Sequence, residues 1–368
     1  MTHQARQPGF ITTIAGSGQS LHGGDDGLAN GASFKSVSKV ISTKNGDIYI
    51  ADSGAHVIRK ITKASGTITT IAGIPNDSGF SGDGGQATSA KLDTPLDLYF
   101  DESIGALYVA DAHNSRIRMI DSEGTISTVA GDGQDDDPGE GGWATESILD
   151  APCGITGNDK GELFIADTFN YRVRMIGTDS RMSTRAGNGA YGSIQFGEKA
   201  MSTPIGEPVS IGLNDKGELF VASIRNGATT HSVMKIDTDG RIRHFAGNLK
   251  EEFSGDGGSA VNAGFKAEIR IAVGKEGEVY IADSKNYRVR MVSPEGAIST
   301  IAGDGSATHA GDEGPATAAS FSLPTSVSVA PNGDLYVSDK TRVRMIYSSR
   351  SCFGVNVEDP TVCSGHGK

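Results

Sequence analysis

The chain has 368 residues, 36% hydrophobic and 21% charged, enough apolar material for a large packed core and too much for intrinsic disorder. Its 51 glycines follow no every-third spacing, which excludes collagen and points to many tight turns. With 45 acids against 33 bases the net charge is -12, a field that repels nucleic-acid backbones and anionic lipid, and no stretch approaches the roughly 18 apolar residues of a membrane helix.

The first element is a short β-rich run over residues 11–15 that ends in an Ala-Gly pair, Ala15-Gly16. The same pair closes similar runs at Gly73, Gly131, Gly187, Gly247 and Gly303, at intervals of 57, 58, 56, 60 and 56 residues. The second interval shows the order of elements: residues 98–100, a turn at Ile104-Gly105, residues 106–111, residues 117–120, a turn at Glu123-Gly124, then residues 126–130. These are four short strands rich in Val, Ile, Tyr and Phe with glycine turns between them. Matching turns stand at Asn45-Gly46, Lys160-Gly161, Lys216-Gly217, Glu276-Gly277 and Asn332-Gly333. The sixth repeat reaches Met345-Ile346 after only three strands.

Four antiparallel strands repeated six times, without helical periodicity, predict an all-β fold: a six-bladed β-propeller with four strands per blade. The orphan run over 11–16 and the three-stranded last repeat make one blade between them. Such closure removes the exposed sheet edges that invite aggregation. The domain organisation expected is a propeller over 1–347 and a separate tail over 348–368.

From each Ala-Gly glycine to the next apolar anchor (Phe34, Leu92, Leu149, Ile205, Phe265, Phe321) the count is 18, 19, 18, 18, 18 and 18. An alanine stands five residues before every anchor, at 29, 87, 144, 200, 260 and 316. A packed helical turn with close backbone approach fits both facts.

The string Ala166-Asp167, Asn170, Arg172-Val173-Arg174 and its copy Ala282-Asp283, Asn286, Arg288-Val289-Arg290 resemble the NHL repeat. So do Ser81-Gly82-Asp83-Gly84-Gly85 and Ser254-Gly255-Asp256-Gly257-Gly258. The resemblance covers residues 10–347 and implies a propeller of a family whose members bind proteins or RNA, act as sensors or occasionally catalyse. The tail, Cys352 through Val362-Cys363-Ser364-Gly365-His366-Gly367, resembles the opening of an EGF-like module whose third cysteine would follow Lys368. That implies a segment of a longer, multi-domain extracellular protein. The remaining cysteine, Cys153, reads as a core thiol.

Two acidic columns recur. Asp52, Asp111, Asp167, Asp283 and Asp339 match Arg59, Arg118, Arg174, Arg290 and Arg344, and the fourth repeat loses both, carrying Ser223 and Met234. Joint loss predicts a carboxylate-guanidinium pair within each blade. The second column, Asp25, Asp83, Glu140, Asp256 and Asp312, stands four residues before the alanine and is interrupted by Phe196; carboxylates there are expected to accept the free amides of the helical turn. Calcium is the alternative for these acids, but no loop has EF-hand spacing, and no metal or cofactor is expected. His22, His56, His113 and His309 fall in connections on one face and read as solvated, without zinc-ligand spacing. No nucleophile constellation is visible. Trp143 beside Gly141-Gly142 reads as half-buried packing or a partner anchor.

Aligning the inner strands on their anchors places Lys39, Asp97, Gly154, Ser210, Arg270 and Ser326 at one level of the channel. Asp97 is expected to face Arg270 across it, giving a compensated lining or a mouth for a small zwitterionic or anionic ligand; Lys39, Asp97, Ser210, Arg270 and Ser326 are the candidate ligand-binding residues. In the fourth repeat, Ser223 to Val233 spans ten positions where Asp111 to Ile117 spans six. Its insert supplies the candidate partner-binding residues Ile224, Arg225, Asn226 and His231. The functional expectation is a non-enzymatic, monomeric propeller that binds a protein or glycan as a module of a larger extracellular or cell-surface protein, with no nucleic-acid partner and no membrane insertion. The alternative is a channel-centred hydrolase or lyase, against which the mixed channel level weighs.

Overall fold

A computed structural model describes residues 9–133, 140–225 and 230–348, together with the two-residue strands Ser351–Cys352 and Val355–Asn356. It is an all-β ring of six blades, each a four-stranded antiparallel sheet with its strands in sequence order from the channel outward. The second blade is Pro95–Asp101, Ala106–Asp111, Arg116–Ile120 and Ile126–Ala130. Its second and fourth strands carry the bounds expected from the glycine turns, and the other two extend the expected cores. The inner strands contact one another in a closed circle, the first (Val37–Ser42) against the last (Pro324–Val329).

Closure is as the repeat count demands. The N-terminal strand Phe10–Ala15 pairs antiparallel with Arg342–Ile346 as the outer strand of the sixth blade, with Thr13 opposite Arg344. Alternation sends the apolar residues of each blade to its two neighbours, so the core is six hydrophobic clusters, each shared by two adjacent blades.

The long connections are the regular feature of the fold. Each leaves the outer strand of one blade, runs along the outer edge of the next and then turns inward. Gln86 bridges Thr125, Trp143 bridges Arg181, Lys199 bridges Arg241 and Ser259 bridges Ala297, while Gly314–Pro315 pairs with Phe10 and Ile11. Every outer strand therefore has its free edge covered. A single 3-10 turn follows, beginning at each of the six alanines. Those alanines are buried, and the carbonyl of each accepts the amide of the Ala-Gly glycine, as Ala87 does from Gly73 at 3.0 Å. That glycine has a φ of +87° at Gly131, where a Cβ would collide with the carbonyl oxygen of Ser115, so position and conformation both require glycine.

The second-to-third strand turns and the long connections share one face, here the upper face. The inner-to-second and third-to-outer turns share the lower face. Among the described residues no helix is long and apolar enough to cross a membrane. Cys363 and the rest of the EGF-like resemblance lie outside the described residues apart from the backbone of the two short strands. Cys153 is a free, partly buried thiol, and burial pushes it above its ordinary pKa.

Candidate functional site

The buried arginines organise the blade face. Arg59, Arg118, Arg174, Arg290 and Arg344 are fully buried, and their main ionic partner is the second acidic column. Arg118 Nη2 lies 2.6 Å from Asp83 Oδ1, Arg290 Nη2 2.7 Å from Asp256 Oδ1 and Arg344 Nη2 2.8 Å from Asp312 Oδ1. The expected partners stand farther off, at 3.3 Å for Asp111 and 3.4 Å for Asp283. Arg59, Arg118, Arg290 and Arg344 each also donate to two carbonyls of the connection. Arg59 reaches Ser33 at 3.0 Å and Gly23 at 3.1 Å, and Arg344 reaches Ser320 at 2.8 Å and Ala310 at 3.0 Å. One side chain thus ties the two ends of the connection together, although the fourth connection keeps its 18-residue length with Met234 in that place.

The expected pair within the blade is therefore present at Asp111 and Asp283 but is not the closest one, and the capping role expected of the second column is corrected. Among the described residues none of the six connection turns has a side-chain cap; the second-column acids serve the arginine and a threonine on the outer strand, Thr128 donating to Asp83 at 2.7 Å and Thr300 to Asp256 at 2.6 Å. The first-column aspartates instead hold the chain as it enters the inner strand. The amide after the anchor donates to them: Asp93 to Asp111 at 2.7 Å, Asp150 to Asp167 at 2.8 Å and Lys266 to Asp283 at 3.0 Å. The motif asparagine adds a second donor, Asn170 to Asp167 at 3.0 Å. Burial pushes Asp111 and Asp283 up to about 6 and Asp167 up to about 7, against the hydrogen bonds that favour the ionised form.

The fourth blade replaces this network as a unit. Met234 stands for the arginine, Ser223 for the first aspartate, Phe196 for the second acid and His244 for the threonine, with Met234 opposite His244 in the register. Phe196 and His244 stack at 4.9 Å and 15°, and Met234 is buried with Ile194, Ala200 and Ile242. The hydroxyls of Ser223 and Ser232, a cross-strand pair, are buried without partners. The second and third strands lengthen to Leu219–Arg225 and Thr230–Ile236. Of the candidate hairpin residues, Ile224 and His231 are buried toward the fifth blade, His231 with neither ring nitrogen bonded. Burial pushes its pKa down. Arg225 pairs with Thr230 through the backbone, and Asn226 lies outside the described residues. On the upper face at the third blade and the connection that follows it, Phe169 and Tyr191 are 52% and 53% exposed, and Tyr191 meets Tyr171 edge-on at 5.8 Å.

At the channel level the bonds of Lys39, Asp97, Ser210 and Arg270 run between blades, and that of Ser326 runs within the sixth. Asp97 is buried and pairs with Lys39 of the first blade at 2.9 Å, not with Arg270; it also accepts the Ile155 amide of the third blade at 3.0 Å. Arg270 donates to the carbonyls of Cys153 at 2.8 Å and Val209 at 3.1 Å. The Ile271 amide donates to Ser210 at 3.1 Å, and Ser326 and Ser338 hydroxyls lie 2.9 Å apart. Inward from the lower face, the channel widens into a cavity of 200 Å³ lined by residues of all six inner strands.

Of the upper-face histidines, His113 is exposed as expected, whereas His22, His56 and His309 are largely covered and lie against carboxylates. His309 lies 3.5 Å from Asp339 and 3.6 Å from Asp312, and its pKa is raised, first by Asp312. His22 spans Asp25 and Asp52 at 3.9 Å each. Phe80 and Phe253 stand at the same place, three residues before the acid, and lie over the paired arginines at 3.7–4.8 Å. His56 and His113 meet at Asp93, 3.3 and 3.5 Å away, and the Thr94 amide donates to His56 Nδ1 at 3.1 Å. Aligning residues three places before the acid would have found the first set; the second is joined only by blade packing. Trp143 is 48% exposed and lies under Arg181 at 4.8 Å. Among the described residues no three His, Cys, Asp or Glu side chains converge to hold a metal.

The model of the teneurin NHL domain matches residues 65–136 and 182–293. Teneurin-4 of Homo sapiens is 26% identical across 93% of this chain and 13% of its own length. Teneurin-m of Drosophila melanogaster is 28% identical across 68% of this chain and 10% of its own. The chain therefore spans about an eighth or less of these relatives. A structural genomics protein of unknown function from Bacteroides thetaiotaomicron superposes with a TM-score of 0.66 at 18% identity, covering 91% of this chain and 74% of that one, a likeness of fold alone.

Proposed function

This chain belongs to the teneurin NHL domain family, and on that premise we propose that it is a non-enzymatic binding module of a larger cell-surface protein, receiving a protein or glycan on the upper face of its third and fourth blades. One observation carries the reading: the fourth blade alone has exchanged its whole arginine-acid-threonine network for Met234, Phe196 and His244, and its lengthened hairpin shares the upper face with exposed Phe169 and Tyr191. Large aromatics held exposed on a rigid scaffold supply contact area at low conformational cost. A merely decayed repeat would lose polar partners one at a time and leave charges uncompensated. Here every member is changed together.

In this reading the channel residues Lys39, Asp97, Ser210, Arg270 and Ser326 hold the ring together, since each is bonded within the protein. The test is binding of the labelled, purified chain to a glycan array and to a panel of intact cells. Phe169→Ala with Tyr191→Ala should abolish the signal, and Trp143→Ala should leave it. Retention of binding by the aromatic double variant, or its loss only when Lys39 and Arg270 are changed, would place the site elsewhere.

A further inference from the structure

A cavity of the protein lies away from the upper face, at the joint of two blades. It opens on the lower face between the sixth and first blades, with a volume of 790 Å³, the size range of pockets for small organic ligands. Its origin can be read from the repeats. In each blade an aromatic residue stands near the start of the second strand, at its second position in five blades and its third in the second blade, Tyr49, Tyr108, Phe164, Phe220, Tyr280 and Tyr336, and it faces the joint with the following blade. There a filler waits three residues past the channel level. Tyr49 stacks on Phe100 at 5.3 Å. Leu213, Val273 and Val329 pack at the next three joints of this kind, and where the third blade has Gly157, the Tyr99 ring covers it and stacks on Tyr108. At the joint of the sixth and first blades the filler is Ser42. It lines the cavity together with Tyr336, and its hydroxyl is buried without a partner.

The missing filler leaves an apolar floor of Ile14, Ile48, Ile61 and Met345 beneath the Tyr336 ring. The rim carries Lys44 on the inner-to-second turn and Lys63 on the third-to-outer turn of the first blade. Neither ammonium has a carboxylate within 4.0 Å among the described residues, whereas Lys60 next to this turn is paired with Asp47 at 2.8 Å. The nearest acid of the lining, Asp334, accepts the Ser348 amide at 2.7 Å. The carboxylates of Glu102 and Asp47 accept the backbone amides of Lys44 and Lys63, which leaves the two ammonium groups over an apolar floor.

We propose that this joint is a binding site for a small amphipathic anion, an aliphatic or aromatic carboxylate whose apolar body takes the place of the missing side chain. Its head group is received by Lys44 and Lys63, and the Ser42 hydroxyl donates to a carboxylate oxygen. The site lies on the face opposite the proposed partner surface and does not depend on that reading.

Dodecanoate and its neutral counterpart dodecanol are the probes, titrated calorimetrically into the full chain and by displacement of 1-anilinonaphthalene-8-sulfonate fluorescence. One dodecanoate per chain is expected. Ser42→Phe, which restores the residue of the second blade, should weaken both probes by roughly tenfold or more, equivalent to about 1.4 kcal/mol, while keeping the far-UV spectrum and raising or preserving the urea midpoint. The pair Lys44→Gln and Lys63→Gln should weaken dodecanoate by roughly tenfold and leave dodecanol unchanged. Absence of saturable binding to the folded wild type, or binding that Ser42→Phe does not alter, overturns the proposal. A concentration-dependent dimer in sedimentation that Ser42→Phe dissociates would overturn it in favour of a second copy of the chain.

Discussion

Arg290 Nη2 lies 2.7 Å from Asp256 Oδ1, a carboxylate 34 residues earlier in the chain, whereas Asp283, seven residues away, is at 3.4 Å. The long-range partner holds the connection against the blade, and the near one holds the start of the inner strand. Arg290→Met should therefore destabilise the protein by about 3 kcal/mol or more, because it leaves Asp283 buried and Asp256 uncompensated. Adding Asp256→Phe and Thr300→His, which copies the fourth blade, should recover part of that loss, while Asp283→Ser should recover less. Urea unfolding of the set as a mutant cycle checks this, and additive losses would show that Arg290 and Asp256 do not interact.

A buried aspartate sets one pH dependence. Asp167 is pushed up to about 7 by burial, against about 4 in an unfolded chain, so the folded state binds its proton more tightly across that window. Its contribution to stability is complete below about pH 4 and is lost as the pH rises through 7. Asp167→Asn should flatten the fall in urea midpoint between those values relative to the wild type, and an unchanged slope would contradict the raised pKa.

His309 gives a second dependence, centred higher. Its pKa is raised, first by the Asp312 bond and then by Asp339. Asp312 is itself held below the carboxylate range: burial pulls it upward, but the bonds from His309 and Thr13 and the charge of Arg344 outweigh that. The stability that His309 contributes is fully present below its unfolded pKa of about 6.5 and is lost as pH rises through the folded value. His309→Phe, the residue type at this place in the second and fifth blades, should remove that loss. Proton NMR of the imidazole and urea midpoints from pH 5.5 to 8.5, a range set roughly about the histidine pKa, measure both sides of the linkage.

Closure and tail should behave oppositely. Deleting residues 1–16 strips the outer strand from the sixth blade and exposes the edge of Arg342–Ile346, so aggregation or a large fall in melting temperature is expected. Removing residues 350–368 should leave the melting temperature within about 1 °C, since the last described contacts of the propeller end at Ser348. Calorimetry of the two truncations decides both.

The repeat intervals, the Ala-Gly pairs and the glycine turns were sufficient for the six blades, their strand order and the closing strand, because those features are set by local turn geometry and by period-two alternation, and both are written in consecutive residues. The buried alanine turns were legible for the same reason: Ala29 and its equivalents sit at constant distance from Gly16 and the other pair glycines. Charge partnership was not. Asp283 and Arg290 are close in sequence, yet Asp256 on the covering connection approaches the guanidinium more closely, and Lys39 rather than Arg270 neutralises Asp97 because adjacent inner strands lie closer than opposite ones. The cavity beside Tyr336 depends on Ser42, some 294 positions away in the chain and in the next blade of the ring. A filler is missing only with respect to the neighbour it should touch. The sequence alone determined the architecture, through local conformational preference; which polar groups pair, and where a void is left, only the packing of one blade on the next decided.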